Sequence, residues 1–325
     1  MLIRICIGFV SLFLTLFAGT AICADDYPSR PIRLVVTFPA GGPVDVVIRL
    51  LVPHVSKQLG QSIVVDNRGG AQGVIGVETV ARSAPDGYTL VVGIDGPITI
   101  NPSVYRKLPY DPIRDLVPIT QLTSSRLVLL AHPSLPFRTV PDLIRVAASR
   151  PGKLTFGSSG IGSAAQMASL LLQREKGISL VHVPYKGGGP ALNALLGNEV
   201  DILFNSVLGG LPFVRNGRLN ALATTGLDRS PVYPDVPTVA ESISGFEVTT
   251  WYGILGPAGM PQPVIAKLNK AFVEAVQSNE VKDRLESQGL TAIGSSPAVL
   301  RALIERETKK WATVVPKVKM ELEAN

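Results

Sequence analysis

Four short stretches of the chain combine backbone freedom with the donors that a small anion needs. They are Phe38-Pro39-Ala40-Gly41-Gly42, Gly69-Gly70-Ala71-Gln72-Gly73, Gly157-Ser158-Ser159-Gly160-Ile161-Gly162-Ser163 and Pro184-Tyr185-Lys186-Gly187-Gly188-Gly189. Each lies between a β-branched run and a segment of helical period, so each reads as a strand-to-helix turn. The first amides of a helix have no intrahelical partner, and the aligned peptide dipoles place a partial positive charge there. Glycine removes the Cβ that would keep a ligand from the backbone. The chemistry implied is binding, with neutral amides surrounding a carboxylate. Glycine at such turns also serves conformation alone, but four turns together, with the donors Gln72, Ser158, Ser159, Ser163 and Gln166 beside them, favour a ligand.

Other chemistries lack their signatures. Gly160-Ile161-Gly162-Ser163-Ala164-Ala165 has the spacing of a dinucleotide fingerprint, yet the acidic residue expected about 20 positions on is missing. No G-x-S-x-G surrounds Ser158, Ser159 or Ser163, which argues against a nucleophile elbow. The three histidines, His54, His132 and His182, stand alone without metal-ligand spacing, and a structural role is the simpler reading for each. Asp45, Asp86, Asp95 and Asp201 sit near turns, where capping explains them. No catalytic residue, metal or cofactor is expected.

The elements that must position these turns alternate. Arg33 to Phe38 reads as a buried strand, followed by a helix whose Val44, Val47, Ile48, Leu51 and Val55 share one face, with Pro53 expected to bend it. Ile63 to Asp66, Val74 to Arg82 and Tyr88 to Gly93 continue as strand, helix and strand. A second series runs through Leu127 to Ala131 (strand), Val140 to Ser149 (helix), Leu154 to Gly157 (strand), Ser163 to Lys176 (helix), Leu180 to Val183 (strand), Gly189 to Leu196 (helix) and Ile202 to Asn205 (strand). From Pro263 onward the signals are helical only, ending in a helix that carries Leu300, Leu303, Ile304 and Trp311. Such βαβ order implies an α/β fold whose parallel strands are covered by helices, with ligand-binding turns at the C-terminal strand edge.

Length and composition agree. The chain has 325 residues, 46% of them apolar, enough for two domains. Arg4, the apolar run Ile5 to Phe17 and the small residues ending at Ala24 read as an export signal cleaved near Ala24. Both cysteines, Cys6 and Cys23, lie in that leader, so the expected mature chain has no thiol or disulfide. The formal charge of +6 falls to +5 when Arg4 leaves, and the basic residues are scattered without interleaved aromatics, which excludes a nucleic-acid surface.

Several strings in one order carry a resemblance. Thr37-Phe38-Pro39-Ala40-Gly41-Gly42 with Asp45 and Arg49, Val65-Asp66-Asn67-Arg68 with Gly73 and Gly76, and Ala84-Pro85-Asp86-Gly87-Tyr88-Thr89-Leu90 come first. Asn101-Pro102, Leu108-Pro109-Tyr110-Asp111, His182-Val183-Pro184-Tyr185-Lys186-Gly187 and Pro234-Asp235-Val236-Pro237-Thr238 follow. From about Tyr27 to its end the chain resembles the Bug-type extracytoplasmic receptors of tripartite tricarboxylate transporters.

The resemblance implies a two-lobe periplasmic-binding-protein fold of type II, with chain crossings near Ile119 to Arg126 and Phe246 to Leu255. Residues 1–24 are then the signal peptide, residues 25–122 and 252–325 the first lobe, and residues 123–251 the second. It implies a cleft lined by Phe38, Ala40, Gly41, Gly42, Gln72 and Gly73 from one lobe. Ser158, Ser159, Gly162, Ser163, Gln166, Lys186, Gly187 and Asn205 line it from the other. Gly69, Gln72 and Asn205 depart from the family's usual proline, glycine and aspartate. Trp251 and Tyr252, at the second crossing, pack the hinge or touch an aromatic ligand. The implied protein is a periplasmic monomer that captures a small carboxylate. It presents its solute to membrane transporter subunits or, as the rival reading, to a sensor kinase.

Overall fold

The structure is a computed structural model that describes residues 27–315; the expected leader lies outside the described residues. The first series is β1 (Ile32–Val36), α1 (Pro43–Leu59), β2 (Ile63–Asn67), α2 (Val74–Ala81) and β3 (Thr89–Ile94). A helical stretch, Gly96–Ile100 and Asn101–Val104, leads toward the long strand β4 (Leu116–Ala131). The second series is α3 (Val140–Ser149), β5 (Thr155–Ser158), α4 (Ala164–Lys176), β6 (Val181–Pro184), α5 (Gly188–Leu196), β7 (Ile202–Ser206), α6 (Val207–Arg215) and β8 (Asn220–Thr224). The chain then returns through β9 (Thr249–Pro257), α7 (Gln262–Gln277), α8 (Asn279–Ser287), β10 (Thr291–Ala292) and α9 (Pro297–Val314).

These strands make two half-sheets joined by a ribbon. In the first half, β1 pairs in parallel with β2 and β3, and β9 runs antiparallel to β3. β4 lies against β9 from Leu116 opposite Pro257 to Arg126 opposite Thr249. The same strand then enters the second half, where Leu127 to Ala131 pair with β7 on one side and β8 on the other. β5 lies parallel to both β6 and β7. The expected first crossing is therefore the middle of one unbroken 16-residue strand, and β9 runs beside it.

Pairing fixes which ends of the strands face each other. Ile94, the last residue of β3, lies opposite Tyr252, close to where β9 and β4 leave the first half-sheet. Ser206, the last residue of β7, lies opposite Leu127, where β4 enters the second. Since β1 and β2 run with β3, and β5 and β6 run with β7, the C-terminal edges of both half-sheets point toward the ribbon and toward each other.

Each half buries apolar residues on both sheet faces. In the first, Val44, Val47, Ile48, Leu51 and Val55 of α1 pack with Leu268, Phe272 and Val276 of α7. This is the face that the helical period predicts, and α1 runs unbroken across Pro53. In the second half, α4 is buried from Ala164 to Gln173, and its Met167 and Leu172 pack with Phe156, Phe204 and Phe246. The last helix differs from expectation: Leu300, Leu303 and Ile304 belong to a first-half cluster, whereas Trp311 and Val314 enter the core of the second. α9 thus spans both halves instead of covering only the first. The region after Pro263 also holds the two-residue strand β10, which pairs with β4. Sequence reading missed α6 and β8.

Candidate functional site

Five strand-to-helix turns line the two facing edges: the four glycine-rich stretches and a fifth at Asn205–Ser206, between β7 and α6. Their helix N-termini are of two kinds. Gly42, Gly73 and Gly187 cap α1, α2 and α5 with no side-chain hydrogen bond to the helix amides. Ser163 and Ser206 cap α4 and α6, accepting from Gln166 N and Gly209 N. The glycine-capped ends keep amides that a serine cap would satisfy, so they suit an external acceptor.

The first turn is braced by charge. Asp45, buried in the first turn of α1, accepts from Gly41 N at 2.9 Å and from Arg49 Nε at 2.8 Å. Its other oxygen accepts from Asn67 Nδ2 at 2.9 Å, and the same amide group reaches the Phe38 carbonyl at 3.1 Å. The Arg49 hydrogen bond, aided by those from Gly41 and Asn67, holds the Asp45 carboxyl down at about 2. One carboxylate therefore fixes the Phe38–Gly42 turn from below, and the Gly41 amide is already occupied. The second turn lies alongside, since a Cβ on Gly69 would sit 3.4 Å from Pro39 Cδ.

A neutral network braces the third turn. The buried Ser158 hydroxyl lies 2.7 Å from His182 Nε2, and Gln166 Nε2 lies 3.2 Å from His182 Nδ1. Gln166 Oε1 accepts from Gly162 N at 2.8 Å, closing the loop back onto the turn. The His182 ring stacks on Phe156 with centroids 4.7 Å apart, and burial lowers its pKa to about 4. A serine and a histidine at this distance could in principle make a nucleophile. Here the hydroxyl is buried, it also bonds the Gly160 carbonyl, and a carboxamide stands where a carboxylate would orient the base.

Across the gap the two halves touch. A Cβ on Gly160 would lie 3.1 Å from Gln72 Nε2 and 3.4 Å from the Tyr185 carbonyl. One on Gly162 would lie 3.0 Å from Asn101 Oδ1, and one on Gly96 would lie 3.7 Å from the Gly162 carbonyl. Tyr185 N donates to the Ser158 carbonyl at 3.0 Å, which ties the fourth turn to the third. Asn205 Oδ1 accepts from Ser206 N at 2.9 Å and faces the start of α5, where a Cβ on Gly188 would be 3.0 Å away.

Each residue expected at the cleft thus lies on one of these turns or just behind it. Ala40, Gly42, Gln72, Ser159, Lys186 and Gly187 are exposed or half-buried, and the side chains of Gln72, Ser159 and Lys186 have no hydrogen-bond partner among the described residues. Phe38 is half-buried and Gly73 buried. Gly41, Ser158, Gly162 and Gln166 spend polar groups inside their own half and shape the turns. Ser163 caps α4. Sequence reasoning missed Asn67, Gly96, Asn101 and Ser206. Ser206 followed by Gly209 and Gly210 was a legible cap signal, whereas the other three reveal themselves only by contacts distant in sequence. Trp251 is buried in a first-half core cluster with Leu300 and Ile304, and Tyr252 is half-buried.

A groove of about 310 Å³ between α7 and the start of α9, lined by Val117, Pro118, Ile265 and Arg301, lies at the opposite end of the ribbon. The first turns of α7 and α9 line it at Gln262, Pro297 and Ala298, but Ser296 already caps α9 and Glu305 adds a negative charge, so it suits a carboxylate less well than the facing strand edges. Among the described residues no cluster of histidine, cysteine or carboxylate side chains suits a metal, and no helix is long and apolar enough to cross a membrane.

Opposed half-sheets joined by a two-strand ribbon, with helix N-termini facing across a gap, define a two-lobe solute-binding receptor. Residues 47–320 match the tripartite tricarboxylate transporter family receptor, and the chain belongs to that family. It is 38% identical over 302 residues to the protein BugT of Bordetella pertussis, covering 92% of this chain and 93% of that one. Among solved structures, R. palustris Rpa4515 with adipate is 33% identical at a TM-score of 0.79, covering 90% of this chain and 98% of that one. MatC from Rhodopseudomonas palustris with bound malate is 35% identical at a TM-score of 0.77, covering 89% and 100%. The family and these neighbours are receptors for solutes, not enzymes.

Proposed function

We propose that this chain is an exported periplasmic receptor that encloses one small carboxylate between its lobes and presents it to the membrane subunits of a tripartite tricarboxylate-type transporter. The observation that carries this reading is the opposition of the two C-terminal strand edges, which aims the glycine-capped ends of α1, α2 and α5 at a common gap. Carboxylate oxygens accept strongly from such amides. Relatives of the same architecture hold adipate and malate.

In this reading the ligand meets Phe38, Ala40, Gly42, Gln72 and Gly73 on one side and Ser159, Ser163, Lys186, Gly187 and Asn205 on the other. Gly41, Ser158, Gly162 and Gln166 hold the turns in place. The first lobe comprises residues 25–122 and 252–325 and the second residues 123–251, with the end of α9 reaching across. Binding both lobes at once stabilises the shut form, and the shut shape is what a transporter recognises. Asn205 contributes no negative charge to the gap, and Lys186 contributes a positive one, so the cleft favours a mono- or dicarboxylate without an ammonium group over an amino acid. A thermal-shift panel of malate, adipate, succinate, aspartate and glutamate tests this. Malate, adipate or succinate should raise the melting temperature and the amino acids should not; a shift confined to the amino acids overturns the assignment.

A further inference from the structure

The geometry points to Gln72 as a clasp between the lobes: its carboxamide, carried on a strained turn of the first lobe, seats on Gly160 of the second and slows the release of a bound dicarboxylate. The effect on release rests on the function proposed above; the clasp itself does not.

The turn is unusual in its backbone. Gly70, Ala71, Gln72 and Gly73 have φ values of 123°, 45°, 52° and 88°, four consecutive residues in the half of conformational space that side chains avoid. Gly70 and Gly73 enter it at no steric cost, but Ala71 and Gln72 do not. Such strain persists where the surroundings over-determine it, and it collects at ligand clamps. The hydrogen bond from Gly73 N to the Gly70 carbonyl (2.9 Å) holds the turn, and Asn101 Nδ2 reaches the Gln72 carbonyl at 3.4 Å. The result turns the Gln72 side chain outward.

What it meets is the other lobe. Gly160 has φ 125° and no Cβ, and the space its Cβ would take is bounded by Gln72 Nε2 at 3.1 Å, the Tyr185 carbonyl at 3.4 Å and Gln72 Cδ at 3.9 Å. The Gln72 carboxamide thus packs on the Gly160 backbone across the boundary between lobes, a contact without a hydrogen bond. Asn101 repeats the pattern one step away. Its carboxamide is fully buried, and Oδ1, with no partner among the described residues, faces Gly162. Two carboxamides of the first lobe therefore bear on two glycines of one second-lobe turn, and a Cβ at either glycine would crowd the carboxamide facing it. Because Gln72 is exposed and Asn101 is buried, Gln72 is the member that can be altered without disturbing the core.

Three variants separate a clasp from a merely local turn residue. Gln72→Ala removes the carboxamide and keeps the strained conformation, Gln72→Gly removes both, and Gln72→Glu places a carboxylate against the Gly160 backbone. Stopped-flow fluorescence with malate and with adipate should show dissociation about tenfold faster in all three variants, and, because Gln72 also stands among the ligand contacts, scattering without dicarboxylate separates a clasp from a lost ligand contact. Small-angle X-ray scattering without added dicarboxylate should show a larger radius of gyration in each variant, greatest for Gln72→Glu. Gln72→Gly alone should raise the melting temperature, since it relieves strain. Dissociation within twofold of the parent and unchanged scattering in Gln72→Ala and Gln72→Glu would overturn the clasp. If the parent binds neither malate nor adipate, the solute assignment is at fault, and scattering alone decides the clasp.

Discussion

The Phe38–Gly42 turn of the first lobe and the Gly157–Ser163 turn of the second present backbone to the same gap, but they are held by different chemistry. Behind the first stands a buried carboxylate, Asp45, satisfied by Gly41, Arg49 and Asn67. Behind the second stand a hydroxyl, a neutral imidazole and a carboxamide, Ser158, His182 and Gln166. A glycine-rich turn has too little side chain to fix its own shape, so a polar group from a neighbouring element must do it, and either kind suffices. The two kinds differ in how they respond to pH and to substitution.

The largest difference should follow from removing each anchor. Asp45→Ala leaves the Gly41 amide, the Asn67 carboxamide and Arg49 without their acceptor and should lower unfolding free energy by about 3 kcal/mol in urea titrations, while weakening malate binding. A loss below about 1 kcal/mol would mean that the turn holds its shape unaided. His182→Phe keeps the ring against Phe156 but removes the ring nitrogens that Ser158 and Gln166 meet, leaving the Ser158 hydroxyl its Gly160 bonds and Gln166 its bond from Gly162, and should cost about 1–2 kcal/mol in the same titration.

The two braces should also fail at different acidities. His182 has its pKa lowered by burial to about 4, against about 6.5 in an unfolded chain. The unfolded state therefore binds more protons in this window, so the imidazole's contribution is full above pH 6.5 and is lost as pH falls toward 4. Asp45, held at about 2 chiefly by its hydrogen bond from Arg49, contributes fully above about 4 and loses that contribution only as pH falls toward 2. Acidification should thus loosen the second lobe first. Hydrogen exchange at pH 7 and pH 4.5 should show protection lost around Ser158–Ser163 while Phe38–Gly42 is unchanged, and His182→Phe should abolish that pH dependence. Equal loss in both turns would erase the distinction drawn here. The smallest effect should come from Arg49→Ala. Arg49 is half exposed, with 53% of its side chain accessible, so solvent screens its ion pair with Asp45 and little stability rests on it. Its removal should move the acid limb of the first lobe's stability upward in pH.

These comparisons also show what could be read from the chain before its structure. The α1 face and the boundaries of α3 follow from helical period, because local pattern and burial agree there. The glycine turns are legible as strand-to-helix junctions, since strand, turn and helix occur in order. Their braces are not. Asp45 reads as an ordinary helix-cap carboxylate until Asn67 is brought to it from β2, and His182 reads as a lone strand histidine until Ser158 and Gln166 flank it. Gly41, Ser158, Gly162 and Gln166 are legible as members of the glycine-rich turns but not as their supports, because sequence shows which turn a donor belongs to and not where it points. α6 and β8 escaped because their strongest cues, Gly209, Gly210 and Pro212, read as loop. The dual role of α9 was hidden for another reason: one amphipathic stripe looks the same whether it packs on one lobe or two.

The most direct test of the central claim is a crystal structure of the protein grown with malate. The account predicts the malate carboxylates between the Phe38–Gly73 turns and the Ser159–Asn205 turns, within hydrogen-bonding distance of backbone amides at the N-termini of α1 or α2 and of α5. Malate seated elsewhere, such as beside Arg301 in the outer groove, or held with none of those amides in contact, would contradict it.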